Sequence, residues 1–382
     1  MIRPLFSLPS RSGTSPTRPL SARDAPVRVM IVDDSLIVRT VLSRIIDEAD
    51  GFEIAAKSSS AELAIADLAD KTVDVILLDL EMPGMGGLDA LPTILTAAKG
   101  AQVLVVSSLT EEGAEHTIAA LRMGAADTML KPRSGGFDQA YRTALLDKIR
   151  ALAPTGLSYG TAAQPEVPNA DIVAGQAGYP ALRKSSPKSP KIIAIGASTG
   201  GIHALCILLR NLPPHLDLPI LVTQHLPESF IPVFARQLES AGARKAVVAG
   251  VRTPIEPGCI HIAPGDGHMM IRDIGGRLVT EIGHFPVASG CKPSVDPMLE
   301  TLAEATGGHA LGIVLSGMGR DGVDGAAKLV QSGGAIIAQD EASSAVWGMP
   351  RAVAEAGLTS AILPPAEIAG RIALHAGAAA WK

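Results

Sequence analysis

The chain has 382 residues, which is more than one ordinary domain holds, so two domains are expected. Hydrophobic residues make up 47% and charged residues 19%, which excludes a disordered or fibrous protein. No apolar run is long enough to span a membrane, and the net charge of -5 argues against a general nucleic-acid-binding surface.

The front of the chain predicts an extension followed by an α/β domain. Residues 1–25 are rich in Pro, Ser and Arg and lack the apolar core of a secretory signal, so we expect a disordered extension, with a transit peptide as the alternative. Over residues 26–150, strand and helix patterns alternate five times, which predicts a doubly wound parallel sheet with helices on both faces. The expected strands lie near 27–32, 53–56, 73–78, 102–106 and 127–130, and the helices near 36–46, 61–69, 88–97, 114–123 and 138–152.

A Pro-, Gly-, Ala- and Ser-rich segment, residues 151–190, is interpreted as a flexible linker. The strand pattern resumes at Lys191, so residues 191–382 form a second α/β domain with a mostly parallel core. Gly275 and Gly276 predict the turn of a β-hairpin over 269–282. The expected strands lie near 192–195, 220–223, 246–249, 259–263, 269–273, 278–282, 311–315 and 335–338.

Polar side chains follow the strands of the front domain at the points where they end. Asp33 and Asp34 follow the first strand, Asp79 the third, Ser107 ends the fourth, and Lys131 follows the fifth. The carboxyl ends of parallel strands meet at one edge of a sheet, so these groups should share one pocket. Clustered carboxylates repel unless a cation neutralises them, and oxygen ligands suit Mg²⁺. The set predicts phosphoryl transfer to a carboxylate.

These residues stand in stretches that resemble the receiver domain of response regulators: Val-Asp33-Asp34-Ser, Leu-Leu-Asp79-Leu-Glu-Met-Pro-Gly-Met, Val-Val-Ser107-Ser and Leu-Lys131-Pro132. The resemblance implies a flavodoxin-like fold in which Asp79 accepts phosphate from a histidine kinase, here CheA. It also implies that Asp33 and Asp34, together with Asp79, hold Mg²⁺, and that Ser107 and Lys131 sense the phosphate.

Two positions depart from the receiver pattern. Thr128 stands where many receivers carry an aromatic switch residue, and Gly86 stands where the related turn often has Asp. The first departure puts the details of the switch in question, but not the phosphorylation.

A serine lies at the first strand–helix turn of the rear domain. Gly196-Ala-Ser198-Thr-Gly200 matches G-x-S-x-G, where flanking glycines allow a sharp turn and the helix N-terminus favours developing negative charge. A dinucleotide-binding turn is the competing interpretation, but Ser198 replaces the middle glycine that would let the backbone approach a pyrophosphate. A bland structural turn is the other alternative.

A serine hydrolase also needs a base and a carboxylate that orients it. His225 and Asp321 both follow strand ends, which selects them as the partners of Ser198. Backbone N–H groups of the loop around Met318, with Thr199 nearby, are expected to form the oxyanion hole. Other candidates for the base and the carboxylate are His203, His261, His268, His284, Asp266, Asp296 and Asp324.

The rear domain resembles the catalytic domain of the CheB-type protein-glutamate methylesterase family of bacterial chemotaxis. The matching stretches are Ile-Gly-Ala-Ser198-Thr-Gly-Gly, Thr-Gln-His225, Ile-Ala-Pro-Gly-Asp266-Gly-His268, Lys-Pro-Ser-Val-Asp296, Leu-Ser-Gly-Met318-Gly-Arg-Asp321-Gly and Trp-Gly-Met-Pro350. The resemblance implies a Rossmann-like domain that needs no cofactor, removes methyl groups from glutamate esters on methyl-accepting chemoreceptors, and deamidates receptor glutamines. Arg210, Arg236 and His268 are possible contacts of a substrate groove.

The two-site layout predicts that the unphosphorylated receiver covers the esterase crevice. Three cysteines without a Cys-x-x-Cys pair fit a reducing cytoplasm. A transcription regulator is disfavoured because residues 191–382 hold 14 Lys and Arg against 16 Asp and Glu and show no helix-turn-helix pattern. A non-catalytic scaffold, and a receiver-controlled serine esterase acting on another protein, are the remaining alternatives.

Overall fold

The structure is a computed structural model that describes residues 25–108, 110–131, 137–154, 180–184 and 188–375. Nearly all of the expected N-terminal extension and most of the expected linker therefore lie outside the described residues. Within the described ranges, no helix has both the length and the apolar character needed to cross a membrane.

The front domain is one five-stranded sheet whose strand pairs are all parallel. The strand order, β2-β1-β3-β4-β5, is the flavodoxin-like order that the resemblance implied. Ser35 caps the first helix by accepting a hydrogen bond from the N–H of Val38. The elements are β1 (Val27–Val32), α1 (Leu36–Asp47), β2 (Phe52–Ser58), α2 (Ala61–Asp70), β3 (Val75–Leu78), α3 (Gly87–Ala97), β4 (Gln102–Ser107), α4 (Glu111–Met123), β5 (Asp127–Leu130) and α5 (Gln139–Leu152).

The rear domain has a seven-stranded sheet and a separate two-stranded hairpin. Its first elements are β6 (Ile192–Ala197), α6 (Gly201–Arg210), β7 (Ile220–Gln224), a 3₁₀ turn (Glu228–Phe230), α7 (Ile231–Gly242), β8 (Ala246–Val248) and β9 (Ile260–Ile262). They are followed by β10 (His268–Ile274), β11 (Arg277–Gly283), α8 (Val295–Thr306), β12 (Ala310–Val314), α9 (Val323–Gln331), β13 (Ala335–Gln339), α10 (Met349–Glu355), β14 (Thr359–Leu363) and α11 (Pro365–His375).

The large sheet runs in the order β14-β13-β12-β6-β7-β9-β8, and its pairs are parallel. Every residue of β6 is buried, because the strand lies in the middle of the sheet with helices on both faces. The hairpin β10–β11 turns at Gly275 and Gly276, both with positive φ, as the sequence predicted. The fold class of two mostly parallel α/β domains is thus confirmed. Strand β14 was not predicted.

Candidate functional site

The polar groups at the strand ends of the front domain do share one pocket. One carboxylate oxygen each from Asp33, Asp34 and Asp79 lies within 4.8 Å of the others. The Lys131 ammonium lies 2.5 Å from Asp79 Oδ2 and 3.0 Å from Asp33 Oδ2. The buried hydroxyl of Ser107 has no hydrogen-bond partner among the described residues. The pocket thus combines three carboxylates, one ammonium and one uncommitted hydroxyl.

Burial and charge act against each other in this pocket. Burial raises the pKa of Asp79, and the nearby charge of Asp33 adds to the rise, while the hydrogen bond from Lys131 only partly opposes it. Burial alone would lower the pKa of Lys131, but its hydrogen bond to Asp79 outweighs burial and the net pKa is raised. A neighbouring cation therefore stabilises the charged form of the buried Asp79 carboxylate.

These donors fit a magnesium ion. Three convergent carboxylate oxygens are the ligand type that Mg²⁺ prefers. Asp34 is exposed, so the pocket is open to solvent, and a magnesium ion bound there could keep water ligands. The receiver architecture agrees with magnesium-dependent phosphorylation in general.

The two departures from the receiver pattern lie in different surroundings. Gly86 precedes α3 as its N-terminal cap residue and makes no side-chain cap bond. Thr128 lies on β5, and its buried hydroxyl has no partner within the described ranges. Thr128 also lines a cavity that the front domain shares with the rear domain, so the aromatic switch position of other receivers faces this shared cavity here.

Ser198, His225 and Asp321 follow three adjacent strands of the rear sheet. Ser198 follows the central strand β6, His225 follows β7, and Asp321 lies in the loop after β12. Ala197 and Gln224 are paired in register, so the residues after them, Ser198 and His225, are neighbours, and the N–H of His225 donates to the carbonyl of Ala197 at 3.0 Å. Both side chains line the same cavity.

A hydrogen bond of 2.7 Å joins His225 Nε2 to Asp321 Oδ2. The same carboxylate accepts three further hydrogen bonds, from the hydroxyls of Ser289 and Ser294 and from the N–H of Val295. Asp321 is therefore held rigidly and its charge is fully solvated by the protein. With Nε2 engaged by Asp321, Nδ1 is the nitrogen of His225 that remains to accept a proton.

The pKa values of His225 and Asp321 are shifted in opposite directions, upward for the histidine and downward for the carboxylate. Burial alone would lower the pKa of His225, but hydrogen bonds to Asp321 and Cys291 outweigh it and raise that pKa to about 9. Burial alone would raise the pKa of Asp321, but the hydrogen bond from His225 and those from Ser294 and Val295 hold it well below its usual range. Asp321 is thus an ionised carboxylate that stabilises an imidazolium.

Close packing fixes the backbone around Ser198. Its N–H donates to Ser316, and its carbonyl accepts a hydrogen bond from the side chain of Gln224 at 2.9 Å. Gly200 has φ +76, and a Cβ there would lie 2.6 Å from the Ser316 hydroxyl. A Cβ at Gly317 would lie 2.8 Å from that of Ser198. Glycine is therefore required at both positions for the serine to keep its place.

Thr199 and Met318 flank the serine. Their backbone N–H groups donate no hydrogen bond to any residue that the structure describes, while the Thr199 carbonyl accepts one from Ser316. The Met318 side chain is 42% exposed. No hydrogen bond links the Ser198 hydroxyl to His225 or to another described residue. Catalytic hydrogen bonds are often long in the free enzyme and tighten when substrate binds.

The front domain packs directly onto this turn. The Thr199 hydroxyl donates to Asp127 Oδ2 at 2.6 Å, and the N–H of Gly200 donates to the carbonyl of Ala126 at 2.6 Å. A cavity of about 540 Å³ is left between the two domains, lined by Ser198 and His225 on one side and by residues of β5 and α5 on the other. The front domain therefore lies across the cavity from the half-buried serine.

The other residues considered in the sequence lie in different places. His268, a possible groove contact in the sequence, is instead buried: its ring bonds to the N–H of Ser294 and to the carbonyl of Phe285. Arg236 pairs with Glu115 of the front domain at 2.6 Å and so contacts the receiver.

Three side chains next to the His225–Asp321 pair escaped the sequence reasoning: Ser289, Cys291 and Ser294. They lie in the loop between β11 and α8. The only signal was the Lys-Pro-Ser-Val-Asp stretch, which contains Ser294 and was matched without a role for that serine.

The comparisons with known proteins agree with this architecture. The family model described as CheB methylesterase matches residues 193–372, and that of the response regulator receiver domain matches residues 29–136. Protein-glutamate methylesterase/protein-glutamine glutaminase 2 of Caulobacter vibrioides is 45% identical over 92% of this chain and 99% of its own length. Protein-glutamate methylesterase/protein-glutamine glutaminase 1 of Paramagnetospirillum magneticum is 40% identical over 92% of this chain and 96% of its own length.

Among solved structures, the CheB methylesterase catalytic domain of Thermotoga maritima is 34% identical and covers 48% of this chain and 97% of its own, with a TM-score of 0.47. The full-length relatives match both domains in one alignment. The chain therefore belongs to the family of protein-glutamate methylesterases/protein-glutamine glutaminases, with a response-regulator receiver domain in front of a CheB methylesterase domain.

Proposed function

We propose that the rear domain hydrolyses glutamate methyl esters on chemoreceptors, with Ser198 as nucleophile, His225 as general base and Asp321 as the group that orients the histidine. The observation that carries the proposal is the 2.7 Å bond between His225 and Asp321 beside the serine that follows the central strand. This arrangement matches the roles of a serine–histidine–carboxylate triad.

In the first step, the Ser198 hydroxyl attacks the ester carbonyl while its proton passes to Nδ1 of neutral His225. The negative charge that develops on the carbonyl oxygen is stabilised by the uncommitted backbone N–H groups of Thr199 and Met318. His225, now an imidazolium stabilised by Asp321, returns the proton to the departing methoxide, which leaves as methanol. Water then attacks the glutamyl–Ser198 ester with His225 again as base, and glutamate is released.

Glutamine deamidation follows the same course. The amide differs from the methyl ester only in its leaving group, so His225 protonates the departing amine and ammonia is released instead of methanol. The names of the relatives pair both activities.

The receiver controls access to the serine. Asp79 accepts a phosphoryl group from the histidine kinase CheA, with Mg²⁺ held by Asp33, Asp34 and Asp79. A magnesium ion held there would supply positive charge opposite the phosphoryl oxygens, and Lys131 and the uncommitted Ser107 hydroxyl receive those oxygens. Such a rearrangement at the ends of β4 and β5 loosens the contacts that β5 makes with the esterase domain.

The closed arrangement supports this control by its lining. Residues of β5 and α5 of the receiver face Ser198 and His225 across the cavity, so they stand where a receptor segment would have to enter. The receiver must therefore move before a receptor segment reaches Ser198.

Methanol release from methylated receptor membranes, with and without a small-molecule phosphodonor, tests the proposal. We expect His225→Gln to reduce the rate about 10⁴-fold and Ser198→Ala to abolish it above background. His284→Gln, which alters an exposed histidine of the same domain, is the matched control and should retain the parent rate. Full activity in Ser198→Ala would refute the assignment, and activation of Asp79→Asn by the phosphodonor would refute the phosphorylation site.

A further inference from the structure

A nitrogen, a sulfur and an oxygen ligand lie together beside Ser198. One ligand atom each from His225, Cys291 and Asp321 lies within 4.8 Å of the others. The His225 side chain is 15% exposed and Cys291 is half-buried, so the cluster is reachable from solvent. We propose that these three residues form a binding site for Zn²⁺, and that zinc bound there switches the esterase off.

The ligand set suits this ion. Zinc binds imidazole nitrogen, thiolate sulfur and carboxylate oxygen at about 2.0–2.3 Å in a tetrahedron, which places ligand atoms roughly 3.4 Å apart. The His225 and Asp321 atoms are 2.7 Å apart and need to separate by less than about 1 Å. The thiolate of Cys291 and the carboxylate of Asp321 together neutralise the charge of a divalent cation, and a water molecule completes the fourth position.

The surroundings of Asp321 prepare it as a ligand. Ser289 and Ser294 donate hydrogen bonds to Oδ1, and the N–H of Val295 donates to Oδ2. These bonds remain when the bond from His225 is replaced by a metal, so the carboxylate keeps its orientation. Hydrogen bonds of this kind behind a ligating carboxylate are a regular feature of zinc sites.

Zinc at this cluster stops catalysis by occupying the base. Coordination requires neutral imidazole and a deprotonated thiol, so binding releases protons and ties His225 and Asp321 to the metal instead of to each other. With Nε2 bound to zinc, the single proton of the neutral imidazole lies on Nδ1, so His225 cannot accept the serine proton. The inhibition is reversible, because a chelator restores the histidine–aspartate bond.

The first test measures methanol release by the full chain against free zinc concentration, with excess Mg²⁺ to fill the receiver pocket. We expect Cys291→Ser to raise the zinc concentration for half-inhibition at least about tenfold, because it removes a direct ligand. Cys259→Ser, which alters a buried thiol outside the cluster, is the matched control and should leave that concentration unchanged. Equal zinc sensitivity in Cys291→Ser and the parent would overturn the proposal.

The second test reads binding without activity. Cobalt(II), which replaces zinc at such sites, should give a thiolate-to-cobalt charge-transfer absorption with the Ser198→Ala protein, and Cys291→Ser should abolish it. Absence of the band in Ser198→Ala, or its persistence in Cys291→Ser, would overturn the site. Because this readout does not use the nucleophile, it separates a failure of the zinc site from a failure of the proposed esterase chemistry.

Discussion

Asp127→Ala is expected to activate the unphosphorylated enzyme. The Asp127 carboxylate accepts a hydrogen bond of 2.6 Å from Thr199, the residue next to the proposed nucleophile, and forms an ion pair with Lys148 within the receiver. A hydrogen bond to a charged group contributes about 1.5–3 kcal/mol. At about 1.4 kcal/mol per tenfold, its loss shifts the balance between covered and uncovered enzyme by about 10- to 150-fold.

The basal rate of methanol release from receptor membranes should therefore rise at least about tenfold in Asp127→Ala, and the further gain on adding a phosphodonor should shrink accordingly. Lys148→Ala is the matched control, because it breaks the ion pair within the receiver but leaves the Asp127–Thr199 bond in place. Its basal rate should stay close to that of the parent. A basal rate in Asp127→Ala equal to the parent, with an unchanged urea midpoint, would refute the role of this contact.

Three further predictions concern the rear domain. Because the pKa of His225 is raised to about 9 and only neutral imidazole serves as base, kcat/KM should rise with pH from 6 towards about 9, and a flat profile would contradict this role. Relative to an unfolded pKa of about 6.5, the same shift of the His225 pKa contributes about 3 kcal/mol of stability below pH 6.5, and this contribution is lost as pH rises through 9. Urea unfolding of the parent and of His225→Gln at pH 6 and pH 10 measures this contribution. Equal pH dependence of the unfolding free energy in the two proteins would argue against it. Gly317→Ala places a Cβ 2.4 Å from Met349 Sδ and 2.8 Å from Ser198 Cβ, so kcat should fall at least about tenfold. Gly370→Ala is the control, because a Cβ at this helical position has no neighbouring atom within 4 Å. This variant should keep the parent rate and gain up to about 1 kcal/mol in stability.

The acidic pocket could be predicted from the sequence because each of its residues lies at or just after the end of a predicted strand. In a parallel sheet, strand ends converge, so Asp33, Asp79 and Lys131 could be placed together without coordinates. The same rule brought Ser198 and His225 to adjacent strand ends.

The surroundings of Asp321 follow no such rule. Ser289 and Ser294 contact Asp321 from a loop about 30 residues earlier in the chain. This loop has no hydrophobic periodicity from which its position could be predicted. Strand β14 escaped because Thr359–Leu363 is a short edge strand with a mixed burial pattern. The contact between Asp127 and Thr199 depends on how two separately folded domains dock, and intradomain periodicity carries no information about docking.

Strand β5 touches both chemical centres at once. Asp127 at its start holds Thr199, and Lys131, just past its end, lies 2.5 Å from Asp79. Four extended residues span about 13 Å, so one short strand connects the contact with the proposed phosphoryl acceptor to the contact beside the proposed nucleophile. On the proposed mechanism, a receiver taken from another response regulator would control this esterase only if the residues at both ends of its fifth strand matched Thr199 and Asp79.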